Sequence, residues 1–211
     1  MTGDQQLIPS APSVLQYVKG VPVGGCQFQL RWYRPMDETP AETTRLHALL
    51  DHSITQASPF LRSSFEMPEH SLSAAQLIAH LQGPLTVALA TSTARAQPRV
   101  APIGAFFVHA AFYMPTVAES ARARHLARRP AASLTYFEDI DVAVIAHGHM
   151  RIIEPDDPAF AELDRAWLAD TGRESPTQWS GSPVYLRMEP ATLYTYARYP
   201  DQIGVVDPPR H

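Results

Sequence analysis

Cysteine occurs once in the 211 residues, at Cys26. That excludes an intrachain disulfide and any metal or iron–sulfur site built on several thiolates. After Gly24-Gly25 in the apolar run VPVGGCQFQL, Cys26 reads as a small buried thiol. Lysine is equally scarce. Lys19 is the only one of seventeen cations, and the other sixteen are arginines. Lysine Schiff-base chemistry in the body of the chain is therefore excluded. An anion site has to be made of arginine forks, backbone N–H groups and hydroxyls. Long apolar runs are missing too, so no membrane span of about 18 residues is expected. The N-terminal MTGDQQLIPSAPS has neither region of a signal peptide, and the expected compartment is the cytoplasm. Positive charge is not in excess. The net charge is −4, which argues against a nucleic-acid partner. No G-x-S-x-G elbow is present, and the glycines of GVPVGG lack the strand-to-helix context of a dinucleotide fingerprint.

What is present divides the chain. Residues 1–70 read as an extension that packs on the core or on a partner subunit, 71–200 as the core domain, and 201–211 as a tail. In the extension a strand is expected at Cys26–Tyr33 and a helix at Ala41–Ser53, with Leu46, Leu49 and Leu50 on one face. From Ser71 the signals sharpen. Ser71 or Ser73 caps a helix carrying Leu77, Ile78 and Leu81, and Gly83-Pro84 stops it. LTVALATST, RVAPIGAFFV and FYMPT then read as three strands, the last two joined by a tight reversal at His109–Ala111. A short Arg/Ala helix follows and ends before Pro130. AASLTYFED and DVAVIAHGHMRII are two more strands. EPDDPAFAELDRAWLADTG is a helix capped by Asp156 or Asp157, with Pro158 in its first turn and Gly172 at its end. VYLRMEPATLYTYARY is a last strand, broken at Pro190. Hairpin-length turns make the pairing antiparallel, and six strands with few helices suggest a small closed barrel.

The chemistry concentrates between Thr116 and Pro130. A strand delivers Thr116, a turn follows, and a helix begins near Glu119 or Ser120. Helix N-termini present unpaired N–H groups and the positive end of the dipole, which suits an anion. Ser120 and Thr116 add hydroxyls. Six arginines stand between Arg95 and Arg129 against one acid, Glu119. His147 and His149 share one strand face and, with His125, form a weak metal candidate, because no carboxylate stands at supporting spacing.

The order and spacing of these motifs resemble the flavin/deazaflavin split-barrel superfamily, which includes pyridoxamine 5′-phosphate oxidase and the F420-dependent reductases. The resemblance runs from Pro84 to Pro190. It rests on Leu89-Ala90-Thr91, on Arg99-Val100-Ala101-Pro102, and on Thr116, Ser120, Arg122, Arg124, Leu126 and Pro130 in the spacing T-x-x-x-S-x-K-x-R-x-L-x-x-x-P. His147-Gly148-His149-Met150-Arg151-Ile152 and Tyr185-Leu186-Arg187-Met188-Glu189-Pro190 complete it. Two departures stand out. Arg122 replaces the usual lysine, and VAES replaces a glycine-rich turn.

The resemblance implies a mainly β (α+β) fold: a six-stranded antiparallel split β-barrel with flanking helices. It implies an FMN-dependent oxidoreductase acting on a small organic substrate, with F420 as the alternative cofactor and a non-catalytic flavin- or haem-binding protein as the alternative role. Thr116, Ser120, Arg122 and Arg124 would hold the phosphate. Arg99, Val100, Ala101, Pro102 and Ile103 would line the ring. The cofactor would lie at the interface of a homodimer, with Trp179 and Arg187 as contributions from the second subunit. No residue is assigned to acid–base catalysis, and none to a metal.

Overall fold

The structure, a computed structural model, describes residues 38–204. The strand expected at Cys26–Tyr33 lies outside the described residues. Three helices come first: α1 (Pro40–Gln56), α2 (Pro59–Ser64) and α3 (Ala74–His80). Each starts where a hydroxyl side chain takes an orphan N–H. Thr39 and Ser73 form capping boxes with Glu42 and Gln76, and Ser58 accepts from the Leu61 N–H. The sequence does not announce α2, since six residues are too few to show a period.

Six strands follow: β1 (Leu85–Ser92), β2 (Pro98–Val108), β3 (Ala111–Val117), β4 (Ala131–Glu138), β5 (Val142–Ile153) and β6 (Pro183–Ala197). Helix α4 (Ala121–Arg128) separates β3 from β4, and α5 (Phe160–Thr171) separates β5 from β6. Every pairing is antiparallel, and the strands close into a barrel in the order β1-β2-β3-β6-β5-β4. This is the six-stranded antiparallel barrel with flanking helices that the sequence implies. Among the described residues no helix is long and apolar enough to cross a membrane.

Two apolar clusters hold the barrel. Leu85, Val87, Leu89, Ile103, Ala105, Phe107, Met114, Leu186 and Met188 point inward along alternating positions. Phe106, Val108, Tyr113 and Tyr185 point outward yet are also buried, because Phe160, Leu163 and Trp167 of α5 cover them. That is why β2 and β3 read as continuous apolar runs rather than alternating ones. The β2–β3 hairpin closes on His109 and Ala110, both at positive φ (52° and 55°), the two-residue geometry that follows the strand twist.

Helix α1 belongs to the same core. Leu46 and Leu50 enter the inner cluster, and fully buried Ser53 accepts the Leu193 N–H at 2.8 Å while donating to the Leu49 carbonyl at 2.7 Å. The hydroxyl thus satisfies a free edge of β6, since β3 pairs only with Pro183–Arg187. The same free edge corrects the expectation of a break at Pro190. The strand runs through, because a proline is tolerated where one side carries no partner strand. A register shift between His147 and Gly148 takes up the irregularity. The helix expected to be capped by Asp156 or Asp157 also differs. Asp157 Oδ1 accepts the Ala159 N–H at 2.9 Å, so Pro158 lies in the preceding turn and α5 begins at Phe160.

Candidate functional site

Strand β3 ends at the candidate site. Ser120 folds back on it through a turn in which its N–H donates to the Val117 carbonyl at 3.0 Å. Ser120 is extended (φ −64°, ψ 147°) and its Oγ accepts the Ala123 N–H at 3.2 Å, which makes it the N-cap of α4. Buried Thr116 stands behind it and donates to Ser120 Oγ at 3.3 Å. Ala123 and Leu126 anchor the helix on the barrel. The N–H groups of Ala121 and Arg122 are left without intrahelical acceptors, as at any helix start. Replacing Ser120 with Ala is expected to cost about 1 kcal/mol of stability. A thermal melt should show it as a fall of about 2–4 °C; an unchanged midpoint would mean that the cap carries no load.

The glycine-rich turn of the family pattern is dispensable here for a visible reason. No residue from Val117 to Ser120 has positive φ. Instead the turn is held from outside. The Glu119 carboxylate accepts from Ser182 N–H (3.0 Å) and Ser182 Oγ (2.8 Å), and these bonds, the backbone one first, push its pKa below the usual carboxylate range. The need for a glycine has moved across the gap to Gly181, where a Cβ would come within 2.7 Å of Glu119 Oε2.

A cleft of about 520 Å³ opens between α4 and the β1–β2 hairpin. The hairpin side is Leu89, Thr91, Thr93 and Arg99–Ala101, and the helix side is Ser120–Arg122 with His125. The register Leu89↔Ala101 and Thr91↔Arg99 puts each pair on one face. Among the described residues no carboxylate lines the cleft, while two guanidiniums do. Arg122 is half-buried, its burial pushes the guanidinium pKa below its ordinary value, and Nη1 donates to the Pro102 carbonyl at 3.3 Å. Arginine nevertheless keeps its charge, since its ordinary pKa exceeds about 12. The cleft can therefore take an anion at the helix end and apolar surface against Leu89 and the β2 backbone.

Of the residues singled out in the sequence, the structure gathers Arg99, Val100, Ala101, Ser120 and Arg122 around this cleft. Thr116 supports Ser120 from behind. Pro102 contributes its carbonyl to Arg122, whereas the Ile103 side chain is buried in the inner cluster. Arg124 is exposed, outside the cleft lining, with its charge acting on Glu119. Trp179 lines a second cleft of about 480 Å³ with Gly104, Pro115, Trp167 and Arg173. Arg187 lies on the outer barrel face, 5.9 Å from the Tyr113 ring centroid, and its buried Nε has no hydrogen-bond partner among the described residues. Sequence reasoning missed Leu89, Thr91, Thr93 and Ala121 as lining residues, and weighed His125 only for a metal. Among the described residues no group of three or more His, Cys, Asp or Glu is placed to hold one. The available signal for His125 was its position three residues after Arg122, on the same helix face.

Known proteins bear on this arrangement in three ways. No curated protein matches the chain. Among solved structures, a conserved hypothetical protein from Mycobacterium tuberculosis superposes with a TM-score of 0.53 at 18% identity, covering 68% of this chain and 96% of that one. A structure named F420 reductase reaches 0.43 at 18% identity, over 54% of this chain and 92% of that one. A pyridoxamine 5′-phosphate oxidase-related, FMN binding protein from Nostoc punctiforme reaches 0.41 at 14%, over 65% and 83%. The first of these shares the fold. The family profile of pyridoxamine 5′-phosphate oxidase matches residues 74–197, which spans all six strands and more than half of the chain. The chain belongs to the pyridoxamine 5′-phosphate oxidase family.

Proposed function

We propose that this protein is an FMN-dependent oxidoreductase acting on a small organic substrate, and that it works as a homodimer with the cofactor at the subunit interface. One observation carries the reading. The cleft brings two guanidiniums, a serine hydroxyl and a helix N-terminus together, with no carboxylate among its lining residues. That donor set fits a phosphate group, and the volume lies within the range of about 300–1,000 Å³ usual for small-molecule sites. Ser120, the Ala121 and Arg122 N–H groups and the Arg122 fork would hold the phosphate. Arg99–Ala101 and Leu89 offer backbone and apolar surface to a ring system. FMN, when bound, supplies the hydride chemistry. The chain's own contribution is to bind the phosphate, orient the ring along a rigid strand and shield it from water.

The homodimer is supported by the outer face of β2. Pro98, Val100 and Pro102 are exposed, Val100 to 66%, an apolar strip beside the cleft that a second copy would cover. The test is a fluorescence titration of the purified protein with FMN, in parallel with F420 and haemin, followed by sedimentation of the loaded protein. FMN is expected to bind tightest, to be bleached by NAD(P)H without air, and to sediment with a dimer. Preference for F420 or haemin would overturn the cofactor, a flavin that never turns over would overturn the enzyme, and a monomer holding FMN tightly would overturn the shared pocket.

A further inference from the structure

Five polar or charged side chains line the anion cleft, Thr91, Thr93, Arg99, Ser120 and Arg122, together with one imidazole, His125. His125 sits on α4 one turn beyond Arg122. Residues three apart on a helix are neighbours, with Cβ atoms about 5–6 Å apart. The ring is held at one nitrogen only: Nδ1 lies 3.2 Å from the Oγ1 of Thr91, a hydroxyl on the inner side of β1 that is itself buried. Nε2 has no hydrogen-bond partner among the described residues. A threonine hydroxyl both donates and accepts. Thr91 can therefore serve the neutral ring as a donor to Nδ1, and the protonated ring as an acceptor from Nδ1–H, without the imidazole moving.

What surrounds His125 decides what its proton does. Several other histidines face carboxylates: His47 faces Asp51, His70 faces Glu66, His80 faces Glu138, and His109 lies between Glu42 and Glu162. Among the described residues His125 has no such neighbour. On its own helix stand Arg122, Arg124 and Arg128, with Arg129 just past the end donating to the Ser92 carbonyl. Helix α4 packs against β1 and β5. Strand β1 carries no titratable side chain. Strand β5 carries His147, whose Nδ1 is 2.7 Å from Ser133 Oγ, His149, and Arg151, which pairs with Asp157. Across the cleft, β2 brings Arg99. Among the described residues a positive His125 therefore meets further positive charge and no acid, and its counter-charge comes from the occupant of the cleft.

We propose that His125 is a proton-controlled anion ligand: protonated, its Nε2–H joins the arginines in holding an oxyanion, and on losing the proton it weakens that hold. The proposal rests on the anion-cleft reading above. Histidine changes charge between about pH 5 and 8. Binding an anion beside it favours the charged ring, so anion and proton are taken up together. The extra affinity is fully present below the pKa of the free site and is lost as pH rises through that of the loaded site.

Sulfate is a suitable probe because it keeps its charge across this range. Calorimetric titration of the wild-type protein with sulfate is expected to show affinity falling about tenfold from pH 5.5 to 8, as one charged hydrogen bond is lost. The His125→Gln variant should show less than about a twofold change, and His147→Gln should behave as wild type. Should the glutamine fail to fold, histidine ring-proton titration of the wild-type protein serves instead. Saturating sulfate should then raise the pKa of one of the nine histidines. Sulfate that binds with a pH-independent affinity, or a slope that survives in His125→Gln, overturns the role of His125 and leaves the anion cleft standing. Sulfate that does not bind at any pH overturns both.

Discussion

Arg122→Ala is expected to weaken FMN binding by about 1.5–3 kcal/mol, the scale of a hydrogen bond to a charged group, or about 10- to 150-fold in dissociation constant. The size follows from where the side chain stands. Arg122 is the guanidinium next to the helix start, where the Ala121 and Arg122 N–H groups and Ser120 already converge. It is half-buried, and a partly desolvated charge interacts more strongly than an exposed one. Its Nη1 bond to the Pro102 carbonyl fixes the fork relative to β2, so less rotamer freedom is lost when an anion arrives. Arg122→Lys should fall between wild type and alanine, keeping the charge but losing the two-pronged geometry. Fluorescence titration of apo-protein with FMN checks both. An alanine variant that binds FMN as tightly as wild type would remove the phosphate from this end of the cleft, and the functional reading with it.

How much of this was readable in the residues depends on how local the cause is. The cap of α3 was readable, since Ser73 acts within three residues of itself, whereas Asp157 holds the turn before α5 rather than capping the helix. The clustering of Thr116, Ser120 and Arg122 was readable for the same reason, since they lie within one turn and one helix start. The barrel was readable through the hairpin-length connections and the order of motifs. Its inner and outer cores were not, because burial of Phe106 and Tyr113 depends on α5, more than forty residues away in the chain. The other wall of the cleft was hidden for a related reason. Thr91 meets Arg99 through the β1–β2 register and meets His125 through packing of α4 on β1, and neither follows from sequence spacing. Trp179 and Arg187 were singled out by analogy to the family. Within one chain neither lines the cleft beside α4. The missing glycines had the opposite outcome, for the turn at Val117–Ser120 is held by Glu119 and Ser182 and never adopts a conformation that needs one.

Gly148 is the glycine with the tightest backbone surroundings, and Gly148→Ala is expected to be among the most destabilising single substitutions in the barrel. Gly148 sits on β5 at the register shift opposite β6. A Cβ there would collide with the Glu189 carbonyl oxygen and lie 2.8 Å from Pro190 Cα and 2.9 Å from the Ala191 nitrogen. All three are backbone atoms of the neighbouring strand, so no rotamer change relieves the clash. The strands have to separate, and β5–β6 is the longest pairing in the barrel. Overpacking in a well-packed site costs about 1–3 kcal/mol, and a clash with backbone belongs at or above the top of that range. A loss of about 3 kcal/mol lowers the melting midpoint of a chain this size by about 6–12 °C. Gly172→Ala separates this cause from backbone strain. Nothing lies within 4 Å of its added Cβ, but its φ is +62°, so the cost there is only the left-handed conformation, about 1–2 kcal/mol. Thermal melts of the two variants should therefore place Gly148→Ala clearly below Gly172→Ala. The reverse order, or a Gly148→Ala midpoint within about 2 °C of wild type, would mean that β6 does not press on β5 at this point and that the bulge lies elsewhere. Below its midpoint the Gly148→Ala protein should still bind FMN, because Arg99, Ser120 and Arg122 stand on β2 and α4, outside the β5–β6 pairing that the methyl group forces apart.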